Sequence, residues 1–239
     1  MERQIFGSGQ VSWPPATTLA RLTEAERDDL LARGRPRLYA AGQTLIRQGE
    51  STTQVIVLLD GYVKITGAGD EGRVTFLAIR VGGDLVGELA ALDGDPRLAT
   101  VTAGGAVLGR VITRDDFRRF LTANPGAGET IISSISAKLR GATHKLVDFN
   151  GRPVRVRVAR VLVELARAYG KATPQGVELS VSLTQPELAG LVSASEPAVH
   201  KALTELRRDD VIATGYRGWV VKDADALRSL GGLGTCPDA

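Results

Sequence analysis

Between residues 37 and 109, short apolar runs alternate with glycine-rich turns. Thr44-Leu45-Ile46 leads into Gln48-Gly49, and the apolar run 55–59 leads into Asp60-Gly61. An Asp-Gly pair after such a run is a hairpin signal, because glycine takes the left-handed backbone that tight turns need. Residues 62–66, 74–79 and 108–112 continue the series. Many short strands with glycine at the corners predict a barrel or roll. Ahead of it, residues 19–33 read as one amphipathic helix, with Thr23 and Glu26 spaced as a capping box. After Asn124-Pro125 the period lengthens. Ile132, Ile135, Leu139, Ala142, Leu146 and Phe149 recur at alternating steps of three and four, a heptad seam. The seam predicts a parallel homodimer; the alternative is a helix packed on its own roll.

Asn150-Gly151-Arg152-Pro153 breaks the pattern and marks a hinge, since glycine ends helices and proline starts them. Residues 154–169 form a second amphipathic helix, carrying Arg155, Arg157, Arg160 and Arg167 and stopped by Gly170. Residues 183–203 then have helix-turn-helix grammar. Thr184 caps a first helix, with Pro186 and Glu187 in its first turn. Leu188, Leu191 and Val192 face inward, Ser193-Ala194 turns, and Ser195 caps a second helix whose buried face is Val199, Leu203 and Leu206. Residues 214–219 give a hairpin that reads as a wing. A plain helical hairpin is the alternative. The fold class is therefore α+β: an N-terminal β-roll (19–125), a long dimerisation helix (126–150) and a C-terminal winged helix-turn-helix (151–226), between flexible tails 1–18 and 227–239.

Composition narrows the chemistry. The 239 residues carry a net charge of only +3, too small to prove a nucleic-acid partner by itself. No apolar run could span a bilayer, and residues 1–15 lack the apolar core of a signal peptide, so the expectation is a cytoplasmic protein with no membrane partner. One cysteine, Cys236, excludes a disulfide framework, a four-cysteine zinc site and a cysteine-ligated iron–sulfur cluster. Two histidines, His144 and His200, argue against a histidine metal site. No metal and no haem is expected. Without a Walker loop or Ser-His-Asp spacing, a nucleotide-processing enzyme is the least favoured reading and no catalytic residue is assigned.

Residues 87–99, Gly-Glu-Leu-Ala-Ala-Leu-Asp-Gly-Asp-Pro-Arg-Leu-Ala, read as a cradle for an anionic, hydroxyl-bearing ligand. Gly87 and Glu88 open a short helical turn whose free N–H groups favour an anion. Asp93-Gly94-Asp95 is a tight turn, and Pro96 stiffens the approach to Arg97, whose fork suits two phosphate oxygens. Glu88 can accept from a sugar hydroxyl. A turn carrying a surface Glu–Arg ion pair is the alternative. On the cradle reading Arg97 is a ligand residue and not a core one, so Arg97→Leu should leave the fold intact.

This string closely resembles the phosphate-binding cassette of cyclic-nucleotide-binding domains, and residues 19–221 resemble the cAMP receptor protein/FNR (Crp/Fnr) family. The resemblance implies a homodimeric, sequence-specific DNA-binding transcription regulator. A cyclic nucleotide, cAMP first and cGMP second, would control it allosterically. It assigns the ligand to Gly87, Glu88, Leu89, Arg97 and Leu98, with Glu88 on the ribose and Arg97 on the cyclic phosphate. Ala142 and Thr143 stand where cAMP receptors place a polar pair against adenine. Leu98 replaces the usual Ser, Thr or Ala, and Ala142 offers no side-chain contact, which weakens base selectivity. The DNA residues implied are Gln185, Ser195, Glu196, Pro197, His200, Lys201, Arg208 and Arg217. Lys201 matches the family's basic reader, suited to guanine. Glu196 and Pro197 replace an arginine and a glutamate, which speaks against the family's usual operator. Partners are a double-stranded DNA operator and a second copy, with RNA polymerase a further candidate. A ligand-independent regulator of the same fold is the alternative function.

Overall fold

The computed structural model describes residues 13–69, 74–149, 151–179, 181, 183–214 and 218–233. The tip of the expected wing with Arg217, and Cys236, lie outside the described residues.

The N-terminal half holds α1 (Thr18–Arg21), α2 (Glu24–Ala32), β1 (Arg35–Tyr39), β2 (Thr44–Ile46), β3 (Val55–Asp60), β4 (Tyr62–Ala68), β5 (Val74–Val81), β6 (Leu85–Val86), α3 (Glu88–Leu92), β7 (Thr100–Ala103), β8 (Val107–Ile112) and α4 (Arg114–Ala123). Its strands make two antiparallel sheets, ordered β1-β8-β3-β6 and β2-β7-β4-β5. The unbroken apolar run of β3 follows from burial on both faces. Ile56 and Leu58 point between the sheets, while Val55, Val57 and Leu59 pack under Leu30, Phe117 and Phe120 of the helices.

Three expectations need correction. The single helix at 19–33 is two helices, because Thr23 forms its capping box with Glu26 and starts α2 there, leaving Leu22 and Thr23 extended. The tail at 1–18 is anchored from Trp13 onward: the Trp13 indole donates to Leu59 O at 3.0 Å, and Thr17 and Thr18 are buried. The tail at 227–239 begins as helix, α9 (Ala224–Leu230), with Leu227 fully buried.

The second half follows as α5 (Pro125–Phe149), α6 (Val154–Tyr169), β9 (Gly170–Thr173), β10 (Gly176–Leu179), α7 (Gln185–Leu191), α8 (Glu196–Arg208), β11 (Ile212–Thr214), β12 (Trp219–Val221) and α9. A four-stranded antiparallel sheet, β11-β12-β10-β9, flanks the helices; β9 and β10 gave no strand signal in the sequence. The two halves share a core. Phe76, Ile79 and Val81 of β5 pack in one cluster with Leu162, Leu188 and Leu203. A bulge between Ile65 and Thr66 of β4 leaves Leu77 out of register, which turns Phe76 to the same side as Ile79. Gly190 of α7 meets Phe76 so closely that a Cβ would lie 2.9 Å from the Phe76 Cβ. Beside this contact, Lys64 Nζ of β4 donates to Glu187 Oε1 of α7 at 2.5 Å.

Candidate ligand cavity and DNA-reading face

Gly87 caps α3 with φ +81°, a conformation that side chains resist. A Cβ there would also strike Arg97 Nη1 at 2.6 Å. Glycine is thus required by the arginine it faces. Gly87, Glu88, Leu89, Arg97 and Leu98 line one cavity of about 130 Å³, and its other walls include Ile46, Ile65, Leu85, Val86 and Val101. Two cations absent from the sequence reading join them: Arg80 from β5 and Lys138 from α5. The cavity therefore carries three cations against one carboxylate, with apolar walls for the rest of a ligand. Since α3 is only five residues long, its field is weak beside these side chains.

The charges in this cavity are already partnered. Arg97 is 3% exposed. Its Nε donates to Thr52 Oγ1 at 3.0 Å, Nη1 to Gly87 O at 2.8 Å and Nη2 to Gln54 O at 2.7 Å. Desolvation lowers the guanidinium's pKa, against the charges of Glu50 and Glu88. Arg97 is thus a core residue as well as a cavity residue, which corrects the expectation that Arg97→Leu spares the fold. Two of its five N–H groups remain for a ligand. Glu88 is buried and accepts from Lys138 Nζ at 2.7 Å; the same ammonium donates to Leu85 O at 3.0 Å. The Glu–Arg surface pair of the alternative reading is absent, since the carboxylate pairs with α5 instead. Asp84, also buried, accepts from Val81 N at 3.2 Å, and burial raises its pKa against the nearby charges of Arg80 and Lys138.

Ala142 and Thr143 do not line the cavity. Both are exposed, and the Thr143 hydroxyl donates back to Leu139 O at 3.0 Å. Lys138 closes the cavity one helical turn earlier, so the expected base contacts lie beyond its mouth. Along the same helix Ile132, Leu139 and Leu146 are 65%, 66% and 63% exposed. Ala127, Ile131 and Ile135, by contrast, pack on the roll core. One face of this helix covers its own roll, as the alternative reading had it, and the other presents an apolar stripe at seven-residue spacing.

In the helix-turn-helix, Thr184 and Glu187 form a complete capping box, and Leu188, Leu191, Val192, Val199, Leu203 and Leu206 are buried as expected. Ser193 turns with φ +46°, and Arg157 of α6 holds that turn by donating to Val192 O at 2.6 Å and Ser193 O at 2.9 Å. Ser195 stands at the N-cap of α8 but makes no side-chain cap, and Pro197 at the second helical position removes one of the two N–H groups such a cap would use. Gln185, Glu196, Pro197 and His200 line one open groove between α7 and the start of α8. Ser195 and Lys201 are exposed beside it. Arg208 lies at the far end of α8 and pairs with Asp209 at 3.2 Å. Among the described residues no group of three or more His, Cys, Asp or Glu is placed to hold a metal, and no helix is long and apolar enough to cross a membrane.

Residues 36–124 match the cyclic nucleotide-binding domain family, and residues 156–230 match the Crp-like helix-turn-helix domain. A Mycobacterium tuberculosis protein named CRP-like cAMP-activated global transcriptional regulator is 30% identical over 182 residues, 76% of this chain and 78% of its own length. This chain belongs to the Crp/Fnr family of transcription regulators. The Pseudomonas aeruginosa cAMP-activated global transcriptional regulator Vfr is 27% identical over 81% of this chain and 92% of its own. Among solved structures, a CooA mutant from Carboxydothermus hydrogenoformans superposes with a TM-score of 0.70 at 18% identity, covering 84% of this chain and 89% of that one. As a Crp/Fnr regulator the chain joins a cyclic nucleotide-binding domain to a DNA-binding helix-turn-helix.

Proposed function

We propose that this regulator works as a cytoplasmic homodimer without catalytic activity, metal, haem or iron–sulfur cluster, and that cAMP in the roll cavity controls its binding to an operator. The observation that carries the reading is the cavity itself. Gly87, Glu88 and Arg97 converge with Arg80 and Lys138 on a positively charged pocket with apolar walls, suited to a phosphate attached to a base and sugar. Arg97 would hold the phosphate through its two remaining N–H groups, and Glu88 would accept from the ribose once Lys138 swings away. At about 130 Å³ the cavity is smaller than the ~300–1,000 Å³ typical of ligand sites. A nucleotide must therefore open the Glu88–Lys138 contact, which ties occupancy to α5. The M. tuberculosis relative, named as cAMP-activated, makes cAMP the ligand to try first and cGMP the second.

The exposed stripe Ile132, Leu139 and Leu146 supports the dimer, because heptad spacing buries such residues against a second copy. Leu139→Lys should leave the 25.3 kDa chain sedimenting as a monomer; an unchanged dimer would remove the seam. On the DNA, Lys201, His200, Glu196 and Pro197 face the major groove around Ser195, and Gln185 meets a phosphate. Arg217 and Arg208 would meet phosphates, the latter after leaving Asp209. RNA polymerase is the further partner this reading admits.

The internal partners that Arg97 and Glu88 already have favour a second reading, a regulator of the same fold that needs no ligand. Calorimetry with cAMP and cGMP separates the two. A heat of binding that Glu88→Ala weakens supports the first. No binding by either nucleotide, with undiminished selection of a DNA motif, establishes the second.

A further inference from the structure

The ligand cavity and the DNA-binding half share one wall, β5. Ile79 and Val81 point into the core with α6, α7 and α8, and Arg80 between them lines the cavity. The Arg80 side chain folds back on its own strand, with Nη1 donating to Ile79 O at 2.7 Å. That same carbonyl accepts the Tyr169 hydroxyl at 3.1 Å. Tyr169 is the last residue of α6, the helix on which the helix-turn-helix is packed. Two donors, one from each half, thus meet on a single acceptor. Burial pushes the phenol up to about 12, so the hydroxyl keeps its proton in neutral solution.

We propose that Arg80 is the positioning residue through which an anion in the cavity acts on Tyr169, and so on the seating of the DNA-binding half against β5. The proposal rests on the reading of the cavity as the ligand site. An anionic ligand offers Arg80 a charged acceptor that the guanidinium fork can engage through two parallel N–H groups, which a single carbonyl cannot match. Arg80 is half-buried, not sealed in, and can turn from Ile79 O towards the ligand. The Ile79 carbonyl is then no longer shared, and the Tyr169 hydroxyl's tie between the end of α6 and β5 strengthens. The ligand contacts differ between the two arrangements, which is what a coupling between sites requires.

The test uses the full-length protein, cAMP as probe, and the duplex that the parent enriches from a random pool. DNA affinity with and without saturating cAMP gives a coupling factor. Arg80→Leu and Tyr169→Phe should each bring that factor about five-fold or more closer to one. The double variant should bring no further change, and Arg80→Lys should recover part of the coupling. Tyr169→Phe keeps the ring in the core, so it remains informative if Arg80→Leu folds poorly. A folded Tyr169→Phe with the parental coupling factor, or additive effects in the double variant, overturns the proposal. Direct calorimetry of cAMP on the parent separates this from failure of the ligand reading. If cAMP does not bind, ligand-free DNA affinity decides: non-additive shifts in the two variants support the link, and unshifted affinities overturn it.

Discussion

Arg97 in the roll and Lys201 in the recognition helix are both cations placed at binding sites, yet their surroundings are opposite. Arg97 is sealed in and bonded to Thr52, Gly87 and Gln54; Lys201 is exposed on the first turns of α8. The difference reaches beyond these two. Around the cavity Glu88 and Asp84 are buried, with Lys138 closing over Glu88, whereas Glu196, His200 and Ser195 stand open to solvent. Charge in the roll holds the fold together before it binds anything. Charge on the reading face has little structural work, so it can vary with the operator at small cost to stability.

That contrast can be broken by substitution. The largest effect belongs to Arg97→Leu, which strands two half-buried carbonyls and a hydroxyl. At about 1–3 kcal/mol for each unmet group, a loss of about 3–5 kcal/mol is expected by denaturant unfolding. A parental midpoint would show that Arg97 belongs with Lys201 instead. Lys138→Ala leaves the Glu88 carboxylate buried and unpaired, a loss of about 3 kcal/mol, with Lys138→Leu/Glu88→Leu recovering most of it. Equal stability of Lys138→Ala and parent would mean that the pair is open in solution. Lys201→Ala should leave the melting curve unchanged while weakening the selected duplex by about 1–3 kcal/mol and relaxing one base pair per half-site. Glu196→Arg, equally exposed, should move preference towards guanine in a selection from random duplexes.

The smallest effect sharpens the comparison through pH. Burial holds Asp84 above the usual carboxylate range. Its native state therefore binds the proton more readily than its unfolded state does. Stability is full below the unfolded pKa and declines as pH rises through the folded one. Asp84→Asn retains an acceptor for Val81 N and escapes this decline. It should melt about 2–4 °C higher at neutral pH, with the gain vanishing in acid. A gain that persists in acid would mean that packing, not charge, separates the two proteins.

Local grammar was legible where a few adjacent residues decide the outcome. The Thr184 cap, the stop at Gly170, the run of α6 and the turn at Gly87-Glu88 each depend on residues within one or two turns, and each stands where the sequence put it. Strands β7, β9 and β10 escaped notice because strands so short owe their pairing to distant partners. Helix α9, which opens the expected tail, is held in the same way: Leu227 is buried in one cluster with Leu162 and Val221 from across the fold.

The sequence alone therefore determined the two-part plan, the cavity's Gly87, Glu88 and Arg97, and the seven-residue stripe on α5, since period and capping are local properties of a chain. Only the tertiary structure decided where the charges point. Lys138 lies fifty residues from Glu88, and Ile79 ninety from Tyr169, and no spacing rule joins them. They meet because α5 and α6 both pack against the roll, and a buried polar group must take whichever partner the packing brings within reach.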